Sequence, residues 1–388
     1  MISRSIRRFF VETWGCQMNE LDSQRLAGQL MQLGILPVRD PAAADLVLLN
    51  SCSVREKAEQ KVYSRLGSFR KLRRDRDAPL FIGLCGCVAQ QEGERALARV
   101  PELDFVLGPA RVGELREVLA RRLAGERVVA TGFPRERQFD FDAIARDGSH
   151  KGMVTVIEGC DKRCTFCIVP STRGPERCRP LAEIVAEVRH LLDYGFAEIE
   201  LLGQTVNHWR DPERGLDFAD LLDAVAGLPG VERLRFVTSY PRDFSSRMVE
   251  RLARHPNICP YLHLPVQSGS DTVLRRMGRG YEVAAYLDLV REIRAARPGI
   301  ALSTDFIVGF PGETEEEFAR TLELVAEVRF AAVFAFCYSP RPGTASLRLG
   351  PPVAREEAEE RLQRLLRLQD EIQRELNEER VGAVEEVV

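Results

Sequence analysis

The chain is predicted to be an α/β protein built from two domains in tandem, an open sheet followed by a partial (β/α)6 barrel. Two observations predict this. Short apolar runs alternate with helix-period stretches along nearly all of its 388 residues, a length sufficient for two or three domains with cores of their own. The residues that carry chemistry fall just after those runs, cysteines in the first part and polar side chains in the second, and in both architectures ligands gather at the carboxyl ends of parallel strands.

In the first part, strands are expected at 8–14, 45–49, 80–84 and 104–107. Cys16 follows the first, Cys52 the second and Cys87 the third. Thiols at equivalent strand ends converge on one crevice however far apart they stand in sequence, so these three are read as ligands of a cluster. Cys85 lies two residues before Cys87 and shares its side of the strand. Cys87 is preferred because it follows Gly86, past the strand, where the chain can turn toward the crevice.

Residues 127–150 mix charges with two Gly and a Pro and hold no period, which marks a linker between a domain at 1–126 and a barrel at 151–345. Barrel strands are expected at 153–157, 198–202, 233–238, 261–265, 301–309 and 331–338, with helices at 181–192, 218–226, 283–294 and 315–328. Six β/α units are too few for a closed eightfold barrel, so an open one is expected. Gln204, Asn207, Ser239, His263, Gln267 and Ser268 sit near strand ends and line its mouth. Ser303, Thr304 and Asp305 lie inside the fifth strand, a costly place unless they meet polar partners within the barrel.

The barrel opens with Cys160-Asp161-Lys162-Arg163-Cys164-Thr165-Phe166-Cys167. Thiolates select zinc or iron–sulfur clusters. A closed zinc site would need a fourth ligand, which Cys178 or a distant histidine would have to supply. Three ligands on a four-iron cube instead leave one iron open to a small molecule, so this spacing points to catalysis.

With 55 Lys+Arg against 58 Asp+Glu, the net charge of −3 gives no global field that recruits nucleic acid. Phosphate contacts would fall to local clusters, Arg4, Arg7 and Arg8, or Arg65, Arg70, Lys71, Arg73, Arg74 and Arg76. No run of 18 apolar residues and no secretory leader are present, so a soluble, cytoplasmic protein without membrane contact is expected. In a reducing cytosol the ten cysteines read as metal ligands or buried apolar residues rather than disulfides.

The cysteine spacing, with Phe166 beside the last thiol, resembles the radical S-adenosylmethionine (SAM) enzymes. Across nearly the whole chain the residues resemble the methylthiotransferases, which insert sulfur into a C–H bond and methylate it. The strings that carry this are Thr13-Trp14-Gly15-Cys16-Gln17-Met18-Asn19-Glu20-Leu21-Asp22-Ser23, Asn50-Ser51-Cys52-Ser53-Val54-Arg55-Glu56-Lys57-Ala58, Gly86-Cys87-Val88-Ala89-Gln90, Ile168-Val169-Pro170, His263-Leu264-Pro265-Val266-Gln267-Ser268-Gly269-Ser270 and Thr304-Asp305-Phe306-Ile307-Val308-Gly309-Phe310-Pro311-Gly312-Glu313-Thr314. The first two favour the branch that acts on N6-isopentenyladenosine in tRNA over relatives that modify threonylcarbamoyl-adenosine or a ribosomal protein aspartate. A non-catalytic iron–sulfur electron carrier is the rival from another class, but it would need neither the polar barrel mouth nor the Gly309–Glu313 loop.

The resemblance implies a Rossmann-like first domain and a radical SAM barrel. It implies two [4Fe–4S] clusters, one on Cys160, Cys164 and Cys167 that binds and cleaves SAM, and an auxiliary one on Cys16, Cys52 and Cys87 that presents sulfur. Phe166, Gly203, Gln204, Ser303, Asp305, Val308 and Gly309 would contact SAM. A 5′-deoxyadenosyl radical would abstract hydrogen from C2 of the adenine, and a second SAM would methylate the sulfur. Implied partners are the tRNA anticodon loop, a reductant such as flavodoxin or ferredoxin, and a sulfur donor, with the protein a monomer. The chain departs from the family pattern at Cys178, where Ser is usual, and at Thr205, where Asn is usual. At 346–388 it is expected to form a helix and then the opening strand, at 381–388, of a small TRAM barrel that is otherwise essentially absent.

Overall fold

The computed structural model of the chain describes residues 2–53, 56–134, 144–145 and 151–384, with the backbone alone at 56–60. By its internal contacts the chain divides into two units, Met1–Asp161 with Ile168–Arg177, and Lys162–Cys167 with Cys178–Val388.

The first unit is built on a six-stranded, wholly parallel sheet: β1 (Arg8–Trp14), β2 (Leu36–Pro37), β3 (Leu46–Ser51), β4 (Phe81–Gly86), β5 (Phe105–Leu107) and β6 (Val128–Ala130), in the order β2-β1-β3-β4-β5-β6. Every residue of β3 is buried, as an unbroken apolar run requires of a central strand covered on both faces. Its side chains alternate between two cores. Leu46 and Leu48 join Phe9, Leu26, Leu30 and Leu119 on one face, while Val47 and Leu49 join Val62, Leu66, Phe69 and Leu84 on the other. The chain reverses its direction of travel across the sheet at β1, so the crevice beyond the carboxyl ends of β1 and β3 is the topological switch point.

The expected strands of this unit appear within two residues of their bounds, and two more join them. β2 is two exposed residues with no apolar signal. β6 lies inside the stretch expected to be a linker, because Val128 and Ala130 bury themselves beside β5. Of the remainder of that stretch, residues 135–143 and 146–150 lie outside the described residues.

Three short strands follow in the chain, β7 (Lys151–Thr155), β8 (Ile157–Glu158) and β9 (Arg177–Cys178). The second unit carries β10 (Glu198–Leu202), β11 (Arg233–Phe236), β12 (Tyr261–His263), β13 (Ala301–Val308) and β14 (Ala332–Cys337). β10 pairs parallel with β11, Leu234 of β11 bridges to Ile258 just before β12, and β12, β13 and β14 continue in parallel order. Helices follow the strands as expected; Phe218–Ala226 and Glu315–Val328 start at capping boxes set by Asp217 with Asp220 and by Thr314 with Glu317. The polar run in β13 does find partners. Ser303 bonds Tyr261 and His263, Thr304 donates to Leu264 O and accepts from Val266 N, both at 3.0 Å, and His263 Nε2 stands 3.5 Å from Asp305.

The helix Arg355–Glu378 lays Ala358, Arg361, Leu365, Gln369 and Ile372 against this unit. The spacing of three and four residues places them on one face. After it, residues 381–384 turn rather than extend, and residues 385–388 of the expected strand lie outside the described residues. Among the described residues, no helix is long and apolar enough to cross a membrane.

Candidate metal centres

The first unit brings Cys16, Cys52 and Cys87 together. Cys52 directly follows β3, Cys87 directly follows β4, and Cys16 stands two residues past β1. Cys52 N–H donates to Trp14 O at 2.9 Å, tying the first two loops to each other. Buried Asn50 fixes them further, donating from Nδ2 to Asn19 O at 2.8 Å and to Ser23 Oγ at 2.9 Å. The third loop depends on Gly86, whose φ is +88° and whose added Cβ would stand 2.2 Å from Asn50 Oδ1 and 2.7 Å from Ser51 O. Gly86→Ala is therefore expected to cost at least about 1–2 kcal/mol and to misplace Cys87, which a thermal melt together with iron uptake on reconstitution would register. Cys85 stays in the apolar core below the sheet, where burial pushes its thiol up.

The three thiols form one hydrogen-bonded group. Cys52 sits between the other two, and its hydrogen bonds to Cys16 and Cys87, with burial, drive its own pKa up. Hydrogen bonding to Cys52 and the charge of Arg173 outweigh burial at Cys16 and at Cys87, bringing them down to about 6 and about 7. Cys16 caps the helix Gln17–Gln32 and Cys87 opens the helix Cys87–Glu92, positions where backbone N–H groups favour a thiolate. Cys16 is exposed while Cys52 and Cys87 are buried, so the group opens to solvent at one corner.

Behind the thiols lies a buried charge network to which the sequence reading gave no role, although Asp22 and Arg173 fall inside the family strings. Arg173, at the end of the helix Val169–Arg173, places Nη1 2.7 Å from Asp22 Oδ2, and Arg25 reaches both Asp22 at 3.7 Å and Glu158 at 3.3 Å. Burial raises the Asp22 carboxyl despite these cations.

This donor set fits an auxiliary [4Fe–4S] cluster, being all thiol, partly ionised at neutral pH and backed by a cation. Among the described residues, no three His, Cys, Asp or Glu side chains are arranged around a single metal ion.

The other three cysteines are neighbours in sequence. Cys160 is buried, and its N–H donates to Gly174 O at 3.1 Å. Cys164 and Cys167 are half-buried, with Cys167 N–H on Cys164 O at 3.1 Å. Arg279 donates from Nη1 to Cys164 Sγ at 3.4 Å and from Nη2 to Pro265 O at 2.9 Å, with its guanidinium held over the Tyr240 ring at 4.5 Å. Cys178, the alternative fourth ligand, instead accepts Arg210 N–H at 3.3 Å.

Of the expected SAM contacts, Phe166 packs edge-on to Phe310, with ring centroids 6.3 Å apart. Gly203 is buried and its carbonyl accepts from Thr238 Oγ1 at 2.7 Å, while Gln204 is half-buried. Ser303 is buried and Asp305 half-buried, bonded as described. Val308 O accepts Tyr338 N–H at 2.8 Å. Gly309 has φ +72° and would bring a Cβ to 2.6 Å from the Ala358 Cβ, and its N–H donates to Glu313 Oε2 at 2.6 Å. Glu313 is held in turn by Arg361 Nη1 at 3.0 Å. Thr238, soon after β11, and Gln267, soon after β12, both adopt positive φ without being glycine, which places backbone strain at the barrel mouth. Sequence reasoning missed Asp22, Arg173, Arg279 and Arg361 as supports of these sites. Their partners are mostly far away in the chain, and isolated charges leave no period to read.

The expected basic clusters are largely engaged in internal pairs. Arg65 holds Glu12 at 2.6 Å, Arg73 holds Asp104 at 3.2 Å, Arg76 donates to Ala44 O at 2.6 Å, and Arg8 lies 3.8 Å from Asp45.

Comparison with known proteins accords with this geometry. The model of the radical SAM superfamily matches residues 154–325, and one described as uncharacterized protein family UPF0004 matches residues 8–108. The solved radical S-adenosylmethionine methyltransferase TsrM from Kitasatospora setae, with cobalamin and a [4Fe–4S] cluster bound, shares the fold at a TM-score of 0.63 and 16% identity over 88% of this chain and 74% of its own. The cobalamin-dependent S-adenosylmethionine radical enzyme OxsB does so at a TM-score of 0.57 and 15% identity, over 95% of this chain and 56% of its own. The match to the superfamily model makes this a radical SAM protein, and the shared fold agrees with it.

Nearer relatives narrow the class. The tRNA-2-methylthio-N6-dimethylallyladenosine synthase of Geobacter sulfurreducens is 48% identical over 96% of this chain and 84% of its own length. Those of Anaeromyxobacter dehalogenans and Aromatoleum aromaticum are 48% and 45% identical, each over 98% of this chain and over 83% and 87% of their own lengths. The chain belongs to the family of tRNA-2-methylthio-N6-dimethylallyladenosine synthases.

Proposed function

We infer that the chain is a radical SAM enzyme that methylthiolates C2 of N6-dimethylallyladenosine at position 37 of tRNA, next to the anticodon. The observation that carries this reading is the pair of separate thiol sets, one gathered at the ends of β1, β3 and β4 and one in the loop after β8. The clusters and SAM, when bound, supply the electron, the radical chemistry at C2 and the methylated sulfur.

The residues of the chain do the rest. Cys160, Cys164 and Cys167 hold the cluster that binds SAM, and Arg279 orients Cys164 through its hydrogen bond. Phe166, Gly203, Gln204, Ser303, Asp305, Val308 and Gly309 position SAM at the mouth of the barrel. Cys16, Cys52 and Cys87 hold the auxiliary cluster. The target base leaves the stack of the anticodon loop to reach the chemistry, at least cost in a single-stranded loop. A flavodoxin- or ferredoxin-type reductant and a sulfur donor complete the system, in the cytoplasm, with the protein a monomer.

Mass spectrometry of tRNA nucleosides from cells lacking and re-expressing this chain tests the reading. The 2-methylthio nucleoside disappears and returns with the chain, and its persistence in the deleted cells would refute the assignment. Anaerobic reconstitution is expected to load about eight irons per chain, since two sets of three thiolates each hold a four-iron cube. Iron analysis with Mössbauer spectra showing a single cluster would contradict this.

A further inference from the structure

One buried charge beside the first thiol set has no role in the scheme so far. Arg173 is 5% exposed. One side of its guanidinium meets Asp22, and its charge acts on Cys16 and Cys87, the latter within hydrogen-bonding reach. Its Nη2 has no hydrogen-bond partner among the described residues. A buried guanidinium nitrogen with its donors unmatched is costly, and an acceptor from outside the chain relieves that cost. The missing acceptor must fit beside thiolates, and the arginine's positive charge favours an anion.

Three thiolates on a four-iron cube leave one iron with a ligand that the protein does not supply. We propose that Arg173 donates through Nη2 to the anionic sulfur, a hydrosulfide or alkylthiolate, carried at the site formed by Cys16, Cys52 and Cys87. The proposal rests on the reading of those thiols as an auxiliary cluster site. The planar fork of Arg serves two acceptors at once, with Asp22 fixing one edge and the sulfur taking the other, a division that the single ammonium of Lys reproduces poorly. Asp22 is then a positioning residue. It aims the guanidinium and, with Arg25 and Glu158, balances charge where water cannot. The sulfur anion is retained at the site instead of exchanging freely with solvent through the exposed corner at Cys16.

The test uses the full chain with Cys160, Cys164 and Cys167 changed to Ala, so that a single cluster is reconstituted. Methanethiolate is titrated in and followed by electron paramagnetic resonance of the reduced cluster. Arg173→Gln is expected to weaken methanethiolate binding about tenfold or more at unchanged iron content, and Arg173→Lys to recover part of the loss. Equal affinity in the parent and Arg173→Gln overturns the proposal. A parent that takes up no four-iron cluster overturns instead the reading of the thiol set on which the proposal rests. Should Arg173→Gln fail to fold or to load iron, the parent labelled with guanidino-15N arginine decides. A 15N coupling to the reduced cluster that appears with methanethiolate supports the contact, and its absence overturns it.

Discussion

Changing Cys16, Cys52 and Cys87 together to Ala is expected to abolish methylthio product while leaving SAM cleavage in place. The two units have separate cores, and the thiol-to-methyl changes fall at loop ends outside the two apolar clusters of the first unit. With reductant and SAM, the variant should still make 5′-deoxyadenosine. Changing Cys160, Cys164 and Cys167 should abolish both products, because no open iron remains to bind and reduce SAM. Chromatography of the small-molecule products beside nucleoside analysis of the tRNA separates the two variants. A first variant that still methylthiolates tRNA would mean that the cysteines of the parallel sheet are structural.

The second large effect lies in the barrel. Arg361→Ala is expected to destabilise the protein by about 3–5 kcal/mol at neutral pH, because it leaves a buried carboxylate unpaired. Arg361 and Glu313 are 2% and 1% exposed in their side chains and meet at 3.0 Å. The further pairs of Arg361 with Glu315 and Glu357 involve half-exposed carboxylates and matter less. Burial already raises Glu313, against the opposing pull of Gly309 N–H and Arg361. Without Arg361 the folded pKa rises further above the unfolded one. Such an acid binds more protons when folded, so stability is lost as pH climbs from the unfolded toward the folded pKa. The deficit of Arg361→Ala should therefore shrink on acidification, and adding Glu313→Gln should recover part of it at neutral pH. Urea unfolding at several pH values reads this directly, and a pH-independent deficit would show that the pair is not what fails. SAM affinity should fall as well, since Glu313 holds the Gly309 N–H in the loop assigned to SAM.

How much of this was legible in the sequence follows from how local each signal is. β3 and β10 announce themselves as continuous apolar or alternating runs, and the helix Glu315–Val328 announces its start through Thr314 and Glu317. β2 and β6 do not, because two or three residues are too short for any period. Cys87 was separable from Cys85 because Gly86 stands between them, and the strained turn there sends the first thiol into the core and the second to the crevice. The supports of the sites were not legible. Asp22 and Arg173 are paired across 151 positions, and Glu313 and Arg361 across 48, and no local pattern says that a given charge will be buried against one particular distant partner.

By its family and its thiol sets, this chain places sulfur and a methyl group on C2 of one modified nucleoside. The most direct measurement incubates the reconstituted, reduced protein with SAM and tRNA bearing N6-dimethylallyladenosine, then digests the tRNA for mass spectrometry. 2-Methylthio-N6-dimethylallyladenosine is expected in that digest, and none when the tRNA carries unmodified adenosine at the same place. Formation of 5′-deoxyadenosine without that nucleoside, or methylthiolation of threonylcarbamoyl-adenosine tRNA in its stead, would contradict it.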